Sequence, residues 1–149
     1  LYGESYFDAL RDYLSKHIFF APVVACPIED KRKVADDQAK ACKERVFDLI
    51  YAVDPLIIIG LGDVPKKIIF GETGALKKQR GVVTDIKIPS KFSNRTLRYP
   101  AMTTYHPKVL GMVGDQNLVE QERGLTYESM QDLTRALSIV KLHKEIQND

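Results

Sequence analysis

The residues best suited to chemistry lie in one short stretch, Thr104-Tyr105-His106-Pro107. Proline restricts its own φ and biases the residue before it towards an extended backbone, so His106 is presented from a rigid turn. The stretch follows a segment with the pattern of a strand. We therefore expect His106 at a strand's carboxyl end, where open α/β sheets bind ligands. The alternative is a histidine in an ordinary proline-containing turn.

A second candidate is Gly60-Leu61-Gly62, which follows the apolar run Leu56–Ile59. A dinucleotide-binding fingerprint needs a third glycine, and Pro65 stands there instead. No acidic residue ends a following strand at the expected distance. The ordinary interpretation is a tight strand-to-helix turn. An unrelated α/β nucleotide-binding domain stays as a third hypothesis for the chain.

Two further groups of residues have an ordinary and a functional interpretation. The two cysteines, Cys26 and Cys42, are either buried thiols or half of a metal or cluster site. No histidine is close to them in sequence to complete a zinc site. The run Lys77-Lys78-Gln79-Arg80-Gly81 is either a solvated loop or a phosphate contact, which would make DNA affinity salt-dependent.

Composition indicates one globular domain over residues 1–149, with 44% hydrophobic and 28% charged residues. The apolar runs are too short to span a membrane, and no signal-peptide pattern opens the chain. The net charge of +2 permits a polyanionic partner without requiring one. Cysteine and lysine usage favours an intracellular protein.

The hydrophobic pattern predicts an α/β fold with a mostly parallel sheet. Strands are expected over 18–25, 56–59, 82–88 and 97–104, and helices over 6–16, 34–53, 64–70 and 126–146. The continuous apolar run Leu56–Ile59 has no polar face for water, so it is expected to be a central strand of the parallel sheet. Pro22 is a difficulty within the first strand because it lacks a ladder donor. The last helix is predicted to bury a stripe made of Met130, Leu133, Leu137 and Val140.

Several of these pieces, in the same order, resemble the iron–sulfur uracil-DNA glycosylases and their phage relatives, including the glycosylase-like domain of certain phage DNA polymerases. The resemblance covers essentially the whole chain. The matching segments are Gly3-Glu4-Ser5, the pair Cys26 and Cys42, the stretch from Asp54 to Gly62, Arg80-Gly81, and Thr104-Tyr105-His106-Pro107.

This resemblance implies a three-layer sandwich around a central, mostly parallel four-stranded sheet. It implies hydrolysis of the N-glycosidic bond of a uracil flipped out of DNA, single-stranded or duplex, with His106 as a donor to the departing base. Val109 or Leu110, in the segment after Pro107, would be an apolar wedge in the vacated stack. The DNA-binding residues would be Thr104, Pro107, Lys108, Val109, Leu110, Lys77, Lys78 and Arg80.

The sequence also departs from the family. Pro22 stands where the family reads uracil with an asparagine, and a proline has no side-chain amide for a base edge. The first catalytic motif and first cysteine pair would lie upstream of Leu1, so no water-activating carboxylate can be named. Cys26 and Cys42 would bind a four-iron four-sulfur cluster only with two further cysteines. The alternative hypothesis is a degenerate module that binds DNA or a DNA polymerase without catalysis.

Overall fold

The computed structural model of the chain describes residues 4–24, 36–89, 94–110 and 116–148. Within these ranges no helix is long and apolar enough to cross a membrane. The elements, in chain order, are α1 Glu4–His17, α2 Asp36–Val53, β1 Ile58–Leu61, a π-helical turn Pro65–Ile69, α3 Leu76–Gln79, β2 Thr84–Pro89, β3 Thr96–Thr104, α4 Pro107–Leu110 and α5 Gln116–Asn148.

The three described strands form one mixed sheet in the order β1-β3-β2. β3 runs parallel to β1, with Ile58 opposite Ala101, and antiparallel to β2, with Ile86 opposite Tyr99. Pairing with β1 begins only after Pro100. Among the described strands, Pro100 therefore has a neighbour on the β2 side alone, and a missing N–H is tolerated at such a position.

This sheet contradicts the predicted fold class, a three-layer sandwich around a four-stranded, mostly parallel sheet. One of its two strand pairs is antiparallel. The physical reason is the short connection 90–95 between β2 and β3, because parallel neighbours need a crossover of a dozen or more residues. β2 nevertheless shows the predicted alternation, with Ile86 and Ile88 buried and the residues between and beside them exposed.

The strand predicted over 18–25 is not formed in its described part, 18–24. Phe20 is 71% exposed instead of buried. The guanidinium of Arg45 on α2 donates to the carbonyl oxygens of Pro22 and Val23, at 2.6 and 3.0 Å. Pro22 has no N–H to donate to a neighbouring strand, and the carbonyl oxygens of Pro22 and Val23 already accept from Arg45. This segment therefore has few backbone groups free to pair with a strand.

The apolar run Leu56–Ile59 was predicted to be a central strand of a parallel sheet. β1 begins within this run and pairs in parallel with β3, which confirms the strand and its direction. Its central position was wrong, because β1 is an edge strand of the described sheet. β3 takes the centre since its nine residues are enough to pair with both shorter neighbours.

The apolar core lies on one face of the sheet, against α2 and the π-helical turn. Residues two apart on a strand share a face. Tyr99 and Ala101 of β3 therefore face this core, whereas Met102 and Thr104 face the opposite side, towards α5. The buried members of the core are Ala39, Ile50, Ile68, Ile69, Ile86, Ile88, Tyr99 and Ala101.

α5 differs from its prediction in both its start and its buried face. It begins at Gln116 rather than near Thr126. In the stripe predicted to be buried, Met130 is 59% exposed and Leu137 63% exposed. The residues that α5 does bury are Ser129, Asp132 and Ala136. A buried carboxylate must find partners, so the contacts of Asp132 set the rotation of the helix about its axis.

Tyr99 makes the stability of the core depend on pH. Its side chain is buried, and its hydroxyl donates to Asp54 Oδ1 at 2.7 Å. Burial and then the Asp54 carboxylate raise the pKa of Tyr99 to about 12. The folded protein thus holds this proton more tightly than the unfolded chain, so the stabilisation is complete below pH 10 and is lost as pH rises towards 12.

We expect the free energy of unfolding to fall by roughly 2–3 kcal/mol through this group as the tyrosine loses its proton. Denaturant titrations across the alkaline range should show this loss in the native sequence. Tyr99→Phe should be less stable at neutral pH and should lack that part of the pH dependence. Tyr13→Phe, on exposed α1, is the matched control. An identical alkaline slope in Tyr99→Phe and the native sequence would contradict the prediction.

Candidate active site

His106 lies at the edge of the sheet where the parallel strands β1 and β3 both end. Leu61 is opposite Thr104, so Gly62 and Asp63 leave β1 at this same edge. The Gly62 N–H donates to the Thr104 carbonyl oxygen at 2.9 Å. The position expected for His106, at a strand's carboxyl end, is therefore the one that the structure has.

Gly62 leaves room for the His106 side chain beside the turn. Its φ of +89° is a backbone conformation that residues with side chains rarely adopt. A Cβ added there would lie 3.2 Å from the Cβ of His106. The tight turn predicted after β1 is therefore present, and its glycine lets the two chain segments approach closely.

The backbone after His106 determines which ring nitrogen is available. The Lys108 N–H donates to His106 Nδ1 at 3.0 Å, and the Val109 N–H donates to the His106 carbonyl oxygen at 3.0 Å. A ring nitrogen that accepts a hydrogen bond carries no proton, so the neutral imidazole holds its proton on Nε2. His106 is exposed, and this N–H can reach a ligand at the sheet edge.

The segment after His106 is a single helical turn, α4, on the surface. Pro107, Lys108 and Val109 are all exposed, and Leu110 ends the turn. A cation and an apolar side chain thus stand beside the imidazole.

The predicted basic run divides into two environments. Lys77 and Lys78 lie on α3 and are exposed. The Gly81 N–H donates to the Thr103 carbonyl oxygen at 2.9 Å, which ties the run to the strand end that leads to His106. The two lysines are therefore held next to the carboxyl end of β3 and are open to a polyanion.

Arg80 is placed differently, because its guanidinium is engaged inside the protein. Nη1 donates to Asp132 Oδ1 at 2.8 Å, and Nε lies 3.1 Å from Glu128 Oε2, an ion pair in which the N–H is not aimed at the oxygen. Its central carbon is 5.9 Å from the ring centroid of Tyr105. Most of the guanidinium is thus committed to these two carboxylates, and only 19% of the Arg80 side chain is exposed.

Thr104 and Tyr105 belong to the same internal network. Thr104 Oγ1 donates to Asp132 Oδ2 at 2.7 Å, and the Tyr105 hydroxyl donates to Glu128 Oε2 at 2.8 Å. Thr104 is buried and its hydroxyl points to α5, so this hydroxyl is not available to a DNA strand at the surface. Of the predicted DNA-binding residues, Thr104 and Arg80 are thus internal, whereas Pro107, Lys108, Val109, Lys77 and Lys78 are exposed.

The electrostatics of the network favour its charged and hydrogen-bonded form. Burial disfavours a charged guanidinium, but the carboxylates of Asp132 and Glu128 outweigh it and raise the pKa of Arg80. Burial, followed by the hydrogen bond to Glu128, also raises the pKa of Tyr105. Arg80 therefore stays a cation, and Tyr105 keeps the proton that it donates.

The two cysteines of this sequence are too few to form a metal site by themselves. Cys26 lies outside the described residues, and Cys42 is a half-buried free thiol on α2. Among the described residues no group of three or more His, Cys, Asp or Glu side chains could hold a metal. A four-iron cluster needs four thiolates and the chain has two cysteines, so these residues alone do not fit a cluster.

Four residues at or near the site were not predicted from the sequence: Asp63, Glu128, Asp132 and Arg135. The spacing of Glu128 and Asp132 does place both on one helix face. Nothing in the sequence shows that this face is turned inward, because the partner Arg80 lies in a distant segment. Asp63 was missed because no motif marks the residue after the turn.

Gly81 permits the network and provides a test of it. Its φ is +70°, and an added Cβ would overlap Asp132 Oδ1. Arg135 Nη1 also donates to the Gly81 carbonyl oxygen. A side chain at this position would therefore strain the backbone and push the buried carboxylate from its partners.

We expect Gly81→Ala to lower the free energy of unfolding by about 3 kcal/mol, from backbone strain and overlap together. The matched control is Gly71→Ala, at a φ of +67° with nothing within 4 Å of the added Cβ. It should cost about 1 kcal/mol, from the backbone alone. Denaturant unfolding of both variants measures the difference, and equal losses would mean that the space beside Asp132 is not tight.

Two comparisons of the sequence with known proteins found no relative of this chain. A scan of the sequence against protein-family models gave no match. A search of curated proteins also gave no match. What can be inferred about the chemistry therefore depends on the residues of this site and on the motifs described above.

Proposed function

We propose that the protein binds DNA and hydrolyses the N-glycosidic bond of a uracil turned out of the strand, as the glycosylases that it resembles do. The supporting observation is the state of His106. Its Nδ1 is occupied by the Lys108 N–H, and its exposed ring has one remaining proton, on Nε2, at the carboxyl edge of the sheet.

This arrangement suits the charge that develops during the reaction. When the bond between the sugar C1′ and the base nitrogen breaks, the bonding electrons stay on the base and its oxygens gain negative charge. A water molecule forms the new bond to C1′ and loses a proton, and the released base takes up one proton overall. An N–H held in place beside a base oxygen stabilises this charge most in the transition state. His106 Nε2–H is the donor.

The surface around His106 offers the contacts that base flipping needs. Lys108, Lys77 and Lys78 neutralise phosphates, and Val109 provides an apolar side chain for the vacated stack. Arg80, although basic, is reserved for the internal carboxylates. The proposed DNA-binding residues are therefore the exposed members of the predicted set.

The main test is His106→Ala. Its rate of base release from a uracil-containing oligonucleotide, single-stranded or duplex, should fall by roughly 100-fold under single-turnover conditions, the size typical of one lost oxyanion donor. DNA affinity should change little, because the bond to the base strengthens mainly in the transition state. His143→Ala, an exposed histidine on α5, is the control. A native chain that binds DNA without releasing base excludes the catalytic proposal.

The lysines should determine how DNA affinity depends on salt. Removing one phosphate contact flattens the slope of log affinity against log salt by about one unit. We expect this of Lys77→Gln, Lys78→Gln and Lys108→Gln. Lys144→Gln is the control because Lys144 lies about 18 Å along α5 from Asp132. Equal slopes in all four variants would place the DNA elsewhere.

A second candidate function is DNA or polymerase binding without catalysis. The observation in its favour is Pro22, which stands where the resemblance places the uracil-reading amide and lies in an irregular segment bonded to Arg45. A proline there offers no side-chain amide to a base edge. The two functions separate in one assay, because a binding module shows the salt dependence but releases no base.

A further inference from the structure

The least expected feature of the structure is a carboxylate that the proposed reaction does not use. The side chain of Asp132 on α5 is only 2% exposed. Burying a carboxylate costs several kcal/mol unless the protein replaces its lost water contacts. Asp132 must therefore be held by groups whose own positions it determines in turn.

One of those groups, the hydroxyl of Thr104, lies two residues before His106. Asp132 accepts from Thr104, and Glu128, one turn earlier on the same helix face, accepts from Tyr105, at 2.7 and 2.8 Å. Arg80 lies between the two carboxylates and pairs with both. Two consecutive residues of the chain are thus hydrogen-bonded directly to two carboxylates of one helix, and Arg80 bridges those carboxylates.

This pairing requires the strand to end at Thr104. In an extended strand, consecutive side chains point to opposite faces of the sheet. Here Thr104 and Tyr105 both reach α5, so the alternation stops between them, which agrees with the end of β3 at Thr104. The direction in which the chain then leaves, and with it the position of His106, follows from these two bonds.

We propose that Asp132 and Glu128 are positioning residues for His106, acting through Thr104 and Tyr105. The backbone at Gly62 lies close to His106 on the β1 side, since a Cβ added there would be 3.2 Å from the His106 Cβ, and the Lys108 N–H donates to Nδ1. The α5 contacts add a third support to the segment that carries the imidazole. This inference rests on the proposed function for its catalytic consequence. The support of the ring itself does not depend on which reaction the ring serves.

Small changes at the two bonds test this without emptying the core. Thr104→Val keeps the shape of Thr104 and removes the hydroxyl, whereas Thr104→Ser keeps the hydroxyl. Tyr105→Phe removes the bond to Glu128 alone. Ser138→Ala is the control, since Ser138 donates only to the carbonyl oxygen of Thr134 on the exposed side of α5.

We expect Thr104→Val and Tyr105→Phe to slow base release at least tenfold, because misplacing a catalytic group by a fraction of an ångström is costly. Their DNA affinities should stay within about twofold of the native value, since no phosphate contact is lost. Thr104→Ser and Ser138→Ala should keep near-native rates. Rates are compared per folded molecule, so a loss of stability alone does not imitate the effect.

Nitrogen-15 NMR of the His106 ring gives a readout that needs no substrate. The native ring should show an unprotonated Nδ1 and a protonated Nε2, and Thr104→Val should shift or exchange-broaden both signals, with recovery in Thr104→Ser. Unchanged ring signals and rates in Thr104→Val and Tyr105→Phe would overturn the inference. If the native chain releases no base but Thr104→Val alters the ring, the proposed function fails and the positioning role stands.

Discussion

The side of the sheet that faces α5 is organised by one buried charge, the carboxylate of Asp132. It accepts from Thr104 and pairs with Arg80, and both bonds are short. A buried ion pair adds little to stability compared with apolar packing, but removing one partner alone costs about 3–5 kcal/mol. The segments that carry Arg80, Thr104 and Asp132 are therefore obliged to stay together. Gly81 belongs to the same constraint, since any larger residue would occupy the space of the carboxylate.

The two faces of the sheet are consequently held by different forces. On the side of α2, aliphatic side chains and Tyr99 form an apolar core, and the hydrophobic effect that holds them together is non-directional. On the side of α5, hydrogen bonds with defined directions join the carboxyl end of β3 to one turn of helix. Directional bonds specify position more sharply than apolar contact does. The candidate catalytic residue, His106, directly follows the strand end that these directional bonds hold.

The same arrangement separates two kinds of basic residue that look alike in the sequence. Arg80 neutralises carboxylates within the protein, where its planar fork suits two acceptors. Lys77, Lys78 and Lys108 stay at the surface, where an ammonium on a flexible stem suits phosphates. If DNA binds near His106, the lysines would supply the positive charge that it meets, and Arg80 would hold the underlying segments in place. This division suits either candidate function in which DNA lies across this edge.

The sequence by itself determined the local features: the alternation of β2, the strand within Leu56–Ile59, the turn at Gly62 and the placing of His106 after a strand. Each follows from neighbouring residues, through side-chain periodicity, the φ freedom of glycine or the restriction before Pro107. Only the tertiary structure decided that β3 is central, that residues 18–24 pair with no strand, and that α5 turns Asp132 inward instead of its apolar stripe. The reason is that strand order depends on pairing between distant segments, and a buried carboxylate depends on a cation elsewhere in the chain. No local pattern records that Arg80 and Asp132 will meet, and once they do, that contact outweighs the apolar pattern of the helix.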